Sequence, residues 1–142
     1  MNQNFHYYLL LATITLMIIF SGCDVTTTFD EGPYVSLYTV EDRVTNTWEW
    51  AYALQDGYNR TGELADSTIT FAQDGTLSIC NSEGSCREGS WHLISKKTKI
   101  NMIFGDQATA YDIIMLKKDE MWLRSEKDAL VDISWELVPT IE

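Results

Sequence analysis

Basic residues, histidine and proline are scarce in this chain. Of its 142 residues, 10 are Lys or Arg against 21 Asp or Glu, 2 are His and 2 are Pro. Because a phosphate backbone is bound through a basic face, the net charge of −11 argues against a nucleic-acid partner. The hydrophobic share of 45% still suffices for a packed core, which excludes a wholly disordered chain. At this length we expect one domain with an appendage.

The N-terminal segment 1–22 contains no Asp, Glu, Lys or Arg. Its apolar run from Tyr7 to Phe20 is shorter than the roughly 20 residues of a membrane-spanning helix and is typical of a signal peptide. The run ends in Phe20-Ser21-Gly22-Cys23, which resembles a bacterial lipobox. The resemblance implies cleavage before Cys23, a diacylglycerol thioether on its sulfur and an N-linked acyl chain such as palmitate. A plain secretory peptide or an uncleaved signal anchor is the alternative.

Three parts follow from this pattern. Residues 1–22 are expected to be the lipoprotein signal peptide. Residues 23–44 are expected to hold the lipidated Cys23, a Thr-rich tether and a short helix from Leu37 to Val44. Residues 45–142 are expected to form the folded domain. The lipobox resemblance places the protein in the bacterial cell envelope, anchored in a membrane through Cys23. We expect the outer membrane, on its periplasmic or surface face, with the inner membrane as the alternative.

From Thr45 onward, apolar residues recur with a period of two, which predicts β-strands. Trp48, Trp50, Tyr52 and Leu54 alternate with polar or small residues on the first strand. About eight such strands follow at regular spacing, mostly joined by short turns such as Asp74-Gly75. Short turns join antiparallel neighbours, so we predict an all-β fold, an eight-stranded antiparallel up-and-down barrel or, alternatively, a sandwich.

Cys80 and Cys86 are separated by five residues that favour turns. The strand phase places both thiols on the outer face, across a hairpin. In an exported domain this arrangement predicts a disulfide, with about 2 to 3 kcal/mol of stabilisation for so short a loop. A metal-binding pair is the alternative, although two cysteines without a nearby histidine make a poor zinc site.

Residues 45–138 resemble the lipocalin-like lipoproteins of Gram-negative bacteria. The matching segments, in order, are Thr47-Trp48-Glu49-Trp50, Ile69-Thr70-Phe71-Ala72-Gln73-Asp74-Gly75-Thr76, Gly89-Ser90-Trp91, Lys97-Thr98-Lys99-Ile100, Tyr111-Asp112-Ile113-Ile114-Met115-Leu116 and Glu120-Met121-Trp122-Leu123. The resemblance implies a lipocalin-like barrel. Because that family is defined by its fold, the resemblance implies no particular catalytic or binding residue.

The residues offer little support for catalysis. His92 is the one histidine after the predicted signal peptide, and we expect it to face solvent. A Cys–His nucleophile pair and a multi-histidine metal site are therefore not expected. Glu49, Asp112 and Glu136 point outward by strand phase, so they do not form the paired carboxylates of a glycoside hydrolase. We expect no catalytic residue, no metal and no cofactor.

The tryptophans bear on function. Strand phase turns Trp48, Trp50, Trp91 and Trp135 inward and leaves the face of Trp122 open. They could simply fill a barrel of this size, or they could line a cavity for a small apolar ligand. We expect any such cavity at one end, near Trp50, Tyr52 and Tyr111.

A different class of function is a protein-interaction module with a filled barrel and an exposed apolar patch. Such a module could assist envelope assembly or inhibit an exported protease, with the segment from Thr26 to Tyr34 making the contact. An enzyme is a third and more distant alternative.

Overall fold

The computed structural model describes residues 29, 36–125 and 131–140. The predicted signal peptide 1–22, Cys23 and all of the predicted contact segment from Thr26 to Tyr34 except Phe29 lie outside these ranges. The described elements in chain order are a helix α1 (Val40–Val44) and the strands β1 (Asn46–Gln55), β2 (Tyr58–Asn59), β3 (Thr68–Phe71), β4 (Thr76–Cys80), β5 (Cys86–Ile94), β6 (Lys99–Phe104), β7 (Gln107–Leu116), β8 (Met121–Ser125) and β9 (Ile133–Pro139).

Eight of these strands form a closed antiparallel barrel in sequential order. β1 pairs with β3, each later strand pairs with the next, and β9 pairs back with β1. The two-residue strand β2 pairs with the end of β1 and adds nothing to the wall. Tight turns such as the one at Gly75, whose φ of +87° favours glycine, connect the neighbours. The all-β, eight-stranded, lipocalin-like barrel expected from the sequence is thereby confirmed.

Helix α1 begins at Val40, three residues later than the predicted helix. Thr39 caps it, because its hydroxyl accepts the amide of Asp42 at 3.1 Å while the Asp42 carboxylate accepts the amide of Thr39 at 3.2 Å. Val40 and Val44 are buried in the core beside the start of β1. Within the described ranges, no helix combines the length and the apolar character needed to cross a bilayer.

One end of the barrel is closed by α1. The indole of Trp48 donates to the Val44 carbonyl at 3.0 Å, which ties the helix to β1. The buried Arg43 donates to the Leu116 carbonyl at 2.6 Å and lies 5.5 Å from the ring centre of Phe29. Burial lowers the pKa of this guanidinium. These contacts cover the end of the barrel at which β1 begins and β7 ends.

The core consists of the side chains that face into the barrel. Trp48, Trp50, Trp91 and Trp135 all face inward as predicted, and the first three are at least nine-tenths buried. Burying a side chain of this size contributes on the order of 2 kcal/mol, so these residues account for much of the driving force for closure. The residues that lose all solvent contact are Val44, Trp48, Ile69, Leu77, Ile100, Leu116, Met121, Leu123 and Leu137.

Two β-bulges change the inward phase and overturn part of the prediction. Between Trp50 and Tyr52 the register with β9 shifts, so that Tyr52 lies opposite Glu136 on the outer face. Ala53, predicted to face outward, is 1% exposed and faces inward. The inward placement predicted for Tyr52 and Leu54 is therefore wrong. A similar shift in β7 falls between Ile113 and Met115.

Candidate functional site

The end of the barrel opposite α1 is here called the mouth. It is formed where β1, β4, β6 and β8 end and where β3, β5, β7 and β9 begin. Four apolar side chains near this end share the inward phase of their strands yet remain only partly buried: Ile79, Phe104, Ile133 and Trp135. These four side chains therefore keep contact with solvent at the mouth, whereas the core residues near α1 are fully buried.

An aromatic cluster lies beneath the mouth. The Trp135 ring meets Trp50 edge to face, with ring centres 5.7 Å apart and planes at 88°. On Trp135 the ring of Tyr111 is stacked at 5.1 Å and 22°. Offset and edge-to-face pairs of this kind are favourable beyond the area they bury. Trp135 thus joins two residues that were predicted for the site.

One buried polar atom in this cluster has no hydrogen-bond partner within the described ranges. The buried Trp50 Nε1 has no hydrogen-bond partner among the described residues. By contrast, the indole of Trp91 donates to the Ala72 carbonyl at 2.9 Å and that of Trp48 to Val44. Burial raises the pKa of the Tyr111 hydroxyl, which therefore stays neutral at physiological pH. An acceptor atom brought into the cluster would find a free donor at Trp50.

The rim of the mouth carries a cation. Arg87 lies opposite Ile79 in the ladder between β4 and β5, and so shares its inward phase. The Arg87 guanidinium carbon is 4.4 Å from the ring centre of Phe104. That ring lies against Gly89, where a Cβ atom would come within 2.7 Å of Phe104 Cδ1. Neither Arg87 nor Trp135 was predicted for the site, because their positions depend on neighbours across the barrel.

The remaining candidates from the sequence lie on the outer face. Cys80 and Cys86 are paired in register and form a disulfide across the β4–β5 hairpin. His92 is exposed, and its Nε2 is 3.4 Å from the Asn101 side-chain amide. Tyr52, predicted beside Trp50 and Tyr111, is separated from them by the barrel wall. In the described part of the chain, no three His, Cys, Asp or Glu side chains come together as a metal site.

The carboxylates also point away from the interior. Asp112 forms an ion pair with Lys99 at 3.2 Å, and Glu49 is exposed opposite Thr68. Trp122, whose face was left open, lies on the outer side opposite Glu136 and donates to Glu120 at 2.9 Å. The barrel therefore carries its acidity outside and its aromatic cluster inside.

The sequence matches no protein-family model and no curated protein. Among solved structures, the chain is similar to a lipocalin-like protein from Bacteroides uniformis, with a TM-score of 0.51 and 15% sequence identity. The aligned region covers 69% of this chain and 99% of that one. At this identity the likeness establishes the fold alone, a lipocalin-like barrel. Barrels of this size have room for side chains or for one small ligand.

Proposed function

We propose that this protein is a lipid-anchored envelope protein whose lipocalin-like domain binds a small apolar ligand at the barrel mouth, without catalysis. The observation that carries the proposal is the partly buried, inward-facing Trp135, held between Trp50 and Tyr111. A core residue of a filled barrel would be sealed at this position. Here Trp135 faces inward and yet keeps contact with solvent.

The expected ligand is small because the closed half of the barrel is occupied. Trp48, Phe71 and Leu116 are at most 1% exposed and leave the α1 end filled. A ligand therefore replaces solvent only against Trp135 and the apolar residues around it. Burial is worth roughly 25 cal/mol per Å² of apolar surface, so a compact alkyl or aromatic body suffices for micromolar to millimolar affinity.

The five Trp residues of the chain provide a direct test. The full chain, labelled with ¹⁵N and kept in a mild detergent, is titrated with octanol while the indole N–H signals are recorded. We expect saturable shifts for Trp50 and Trp135 and none for Trp122, which lies outside the barrel. Trp→Phe variants assign the signals. Detergent micelles take up part of the octanol and so lower its free concentration. All five indoles experience the same free concentration, so a difference in shift between inner and outer indoles does not arise from that uptake.

The same titration addresses the protein-interaction alternative. A barrel that is filled throughout would leave all indole signals unmoved up to about 1 mM octanol, where binding is worth only about −4 kcal/mol. Shifts confined to Trp122 would point to the outer face instead. Either result would overturn the ligand-binding proposal.

The anchoring part of the proposal is supported by the lipobox-like end of the segment 1–22. Two or more acyl chains hold a protein on a membrane far more firmly than one. We expect the chain produced in a Gram-negative host to fractionate with the membranes, with an intact mass that shows loss of residues 1–22 and acylation of Cys23. The C23A variant should lose both. A wild-type chain with an unmodified Cys23 thiol would contradict the anchoring.

A further inference from the structure

Arg87 is the one charged residue that shares the inward phase of the eight wall strands. The ladder fixes its phase, because Arg87 lies opposite Ile79, and Ile79 lies opposite the fully buried Ile69. All other inward positions on the described strands are apolar, aromatic, glycine or uncharged polar residues. A single cation at the opening of an apolar interior is a feature that packing does not require.

The Arg87 side chain is already positioned for an anion. Its guanidinium lies over the Phe104 ring at 4.4 Å, and the ring in turn is seated on Gly89. Stacking on an aromatic face orients the planar group without using its N–H edge. That edge can then hold a carboxylate or similar oxyanion through two parallel hydrogen bonds.

Arg87 also differs from four other cations of the described residues. Arg60, Lys97, Lys99 and Lys117 each form an ion pair with a carboxylate, at 2.6 to 3.3 Å. Arg87 forms none with any described residue, although the chain has 21 Asp and Glu against 10 Lys and Arg. In so acidic a protein, a cation kept apart from carboxylates at an apolar opening is available to a ligand.

We propose that the ligand is a small amphipathic monoanion, a carboxylate or comparable oxyanion on a compact apolar body, with Arg87 holding the anion at the rim. The apolar body lies inward, against Trp135. This inference rests on the proposed function and adds to it the charge of the ligand, its orientation and the residue that selects it.

The test compares octanoate, octanol and octylamine, which share one apolar body and differ in the charge of the head group. Dissociation constants are taken from the Trp135 indole shift in the full chain. We expect octanoate to bind about tenfold more tightly than octanol, because a charge-assisted bond to a carboxylate is worth a factor of this order. Octylamine should bind most weakly, because its cation faces Arg87.

Three variants locate the effect. R87Q should abolish the preference for octanoate and leave octanol binding within about twofold, since the apolar contacts remain. R87K should keep part of the preference, because its charge persists without the planar fork. R124Q is the matched control, because Arg124 is exposed on the outer face, opposite Asp112. Its loss should change the dissociation constant of neither octanoate nor octanol.

The outcomes separate the two proposals. Saturable shifts of Trp135 with equal affinities for octanoate and octanol, or a preference that survives R87Q, would overturn the anion proposal and leave ligand binding intact. No shift with any of the three compounds would overturn the proposed function itself. Should R87Q fail to fold, the order in which the wild-type chain binds the three compounds still decides whether the site prefers an anionic head group.

Discussion

Trp48 and Trp50 occupy equivalent inward positions on β1 but differ in hydrogen bonding. Both side chains are buried, at 0% and 7% exposure. Trp48 Nε1 donates to the Val44 carbonyl, whereas Trp50 Nε1 has no partner among the described residues. A buried donor without a partner costs free energy in the unliganded protein. Trp50 therefore carries a free-energy cost that Trp48 does not.

Substituting each tryptophan by phenylalanine separates these roles. Both variants remove the same atoms, but W48F also breaks the bond to Val44, while W50F removes an unsatisfied donor. We expect W48F to lower the free energy of unfolding by about 1 to 3 kcal/mol more than W50F. Urea denaturation followed by far-UV circular dichroism measures both. Equal losses of unfolding free energy in the two variants would show that the Trp50 indole N–H has a hydrogen-bond partner in solution.

The buried hydroxyl of Tyr111 leads to a prediction about the pH dependence of stability. Burial raises its pKa above the ordinary value of 10.0. A group whose pKa is raised on folding contributes stability that is complete below its unfolded pKa and is lost as pH rises through the folded pKa. We expect the stability of the wild-type chain to fall more steeply than that of Y111F above about pH 10. If the stability of the two proteins fell equally with rising pH, the Tyr111 hydroxyl would be solvated.

At the scale of elements, the sequence predicted the strands far better than their faces. The alternation from Thr45 onward located every wall strand, and Asp74-Gly75 marked the first tight turn between them. The bulge after Trp50 escaped detection, because aromatic or aliphatic residues stand on both faces of β1 and either phase looks plausible. This is why Trp50 and Tyr111 lie together in the candidate site while Tyr52 does not.

A substitution at Gly89 tests how tightly β5 packs against β6. Its φ is ordinary, but a Cβ there would collide with the Ile103 carbonyl oxygen and lie 2.7 Å from Phe104 Cδ1. We expect G89A to destabilise the protein by about 2 to 3 kcal/mol through overpacking. G62A is the control: a Cβ at Gly62 meets nothing within 4 Å, so its effect should stay within about 0.5 kcal/mol. Thermal unfolding compares the two, and a neutral G89A would mean that both the Ile103 backbone and the Phe104 ring shift at little cost.

At the scale of the whole molecule, closure decides which residues meet. β1 pairs with β9 from Trp48 to Gln55, so the first and last strands complete the wall. Pairing over such a sequence distance cannot be deduced from local alternation, and it is what brings Trp135 to Trp50. The same closure gives the barrel two unequal ends, one covered by α1 and one at which Ile79, Phe104, Ile133 and Trp135 keep contact with solvent. From the sequence, Trp135 could therefore be placed inside the barrel but not beside Trp50, and Arg87 could not be assigned to a site.

The acidity of the molecule yields a last prediction. With 21 Asp and Glu against 10 Lys and Arg, repulsion among outer carboxylates opposes the compact state. Raising ionic strength from about 0.01 to 0.15 M shortens the screening length from about 30 to 8 Å. We expect the free energy of unfolding in urea to rise over this range, with the same change in NaCl and KCl.

Surface ion pairs such as Lys99–Asp112 at 3.2 Å are weakened by the same screening. Each contributes less than about 1 kcal/mol, so the net repulsion should dominate. A decrease in stability with salt would mean that local pairs outweigh it.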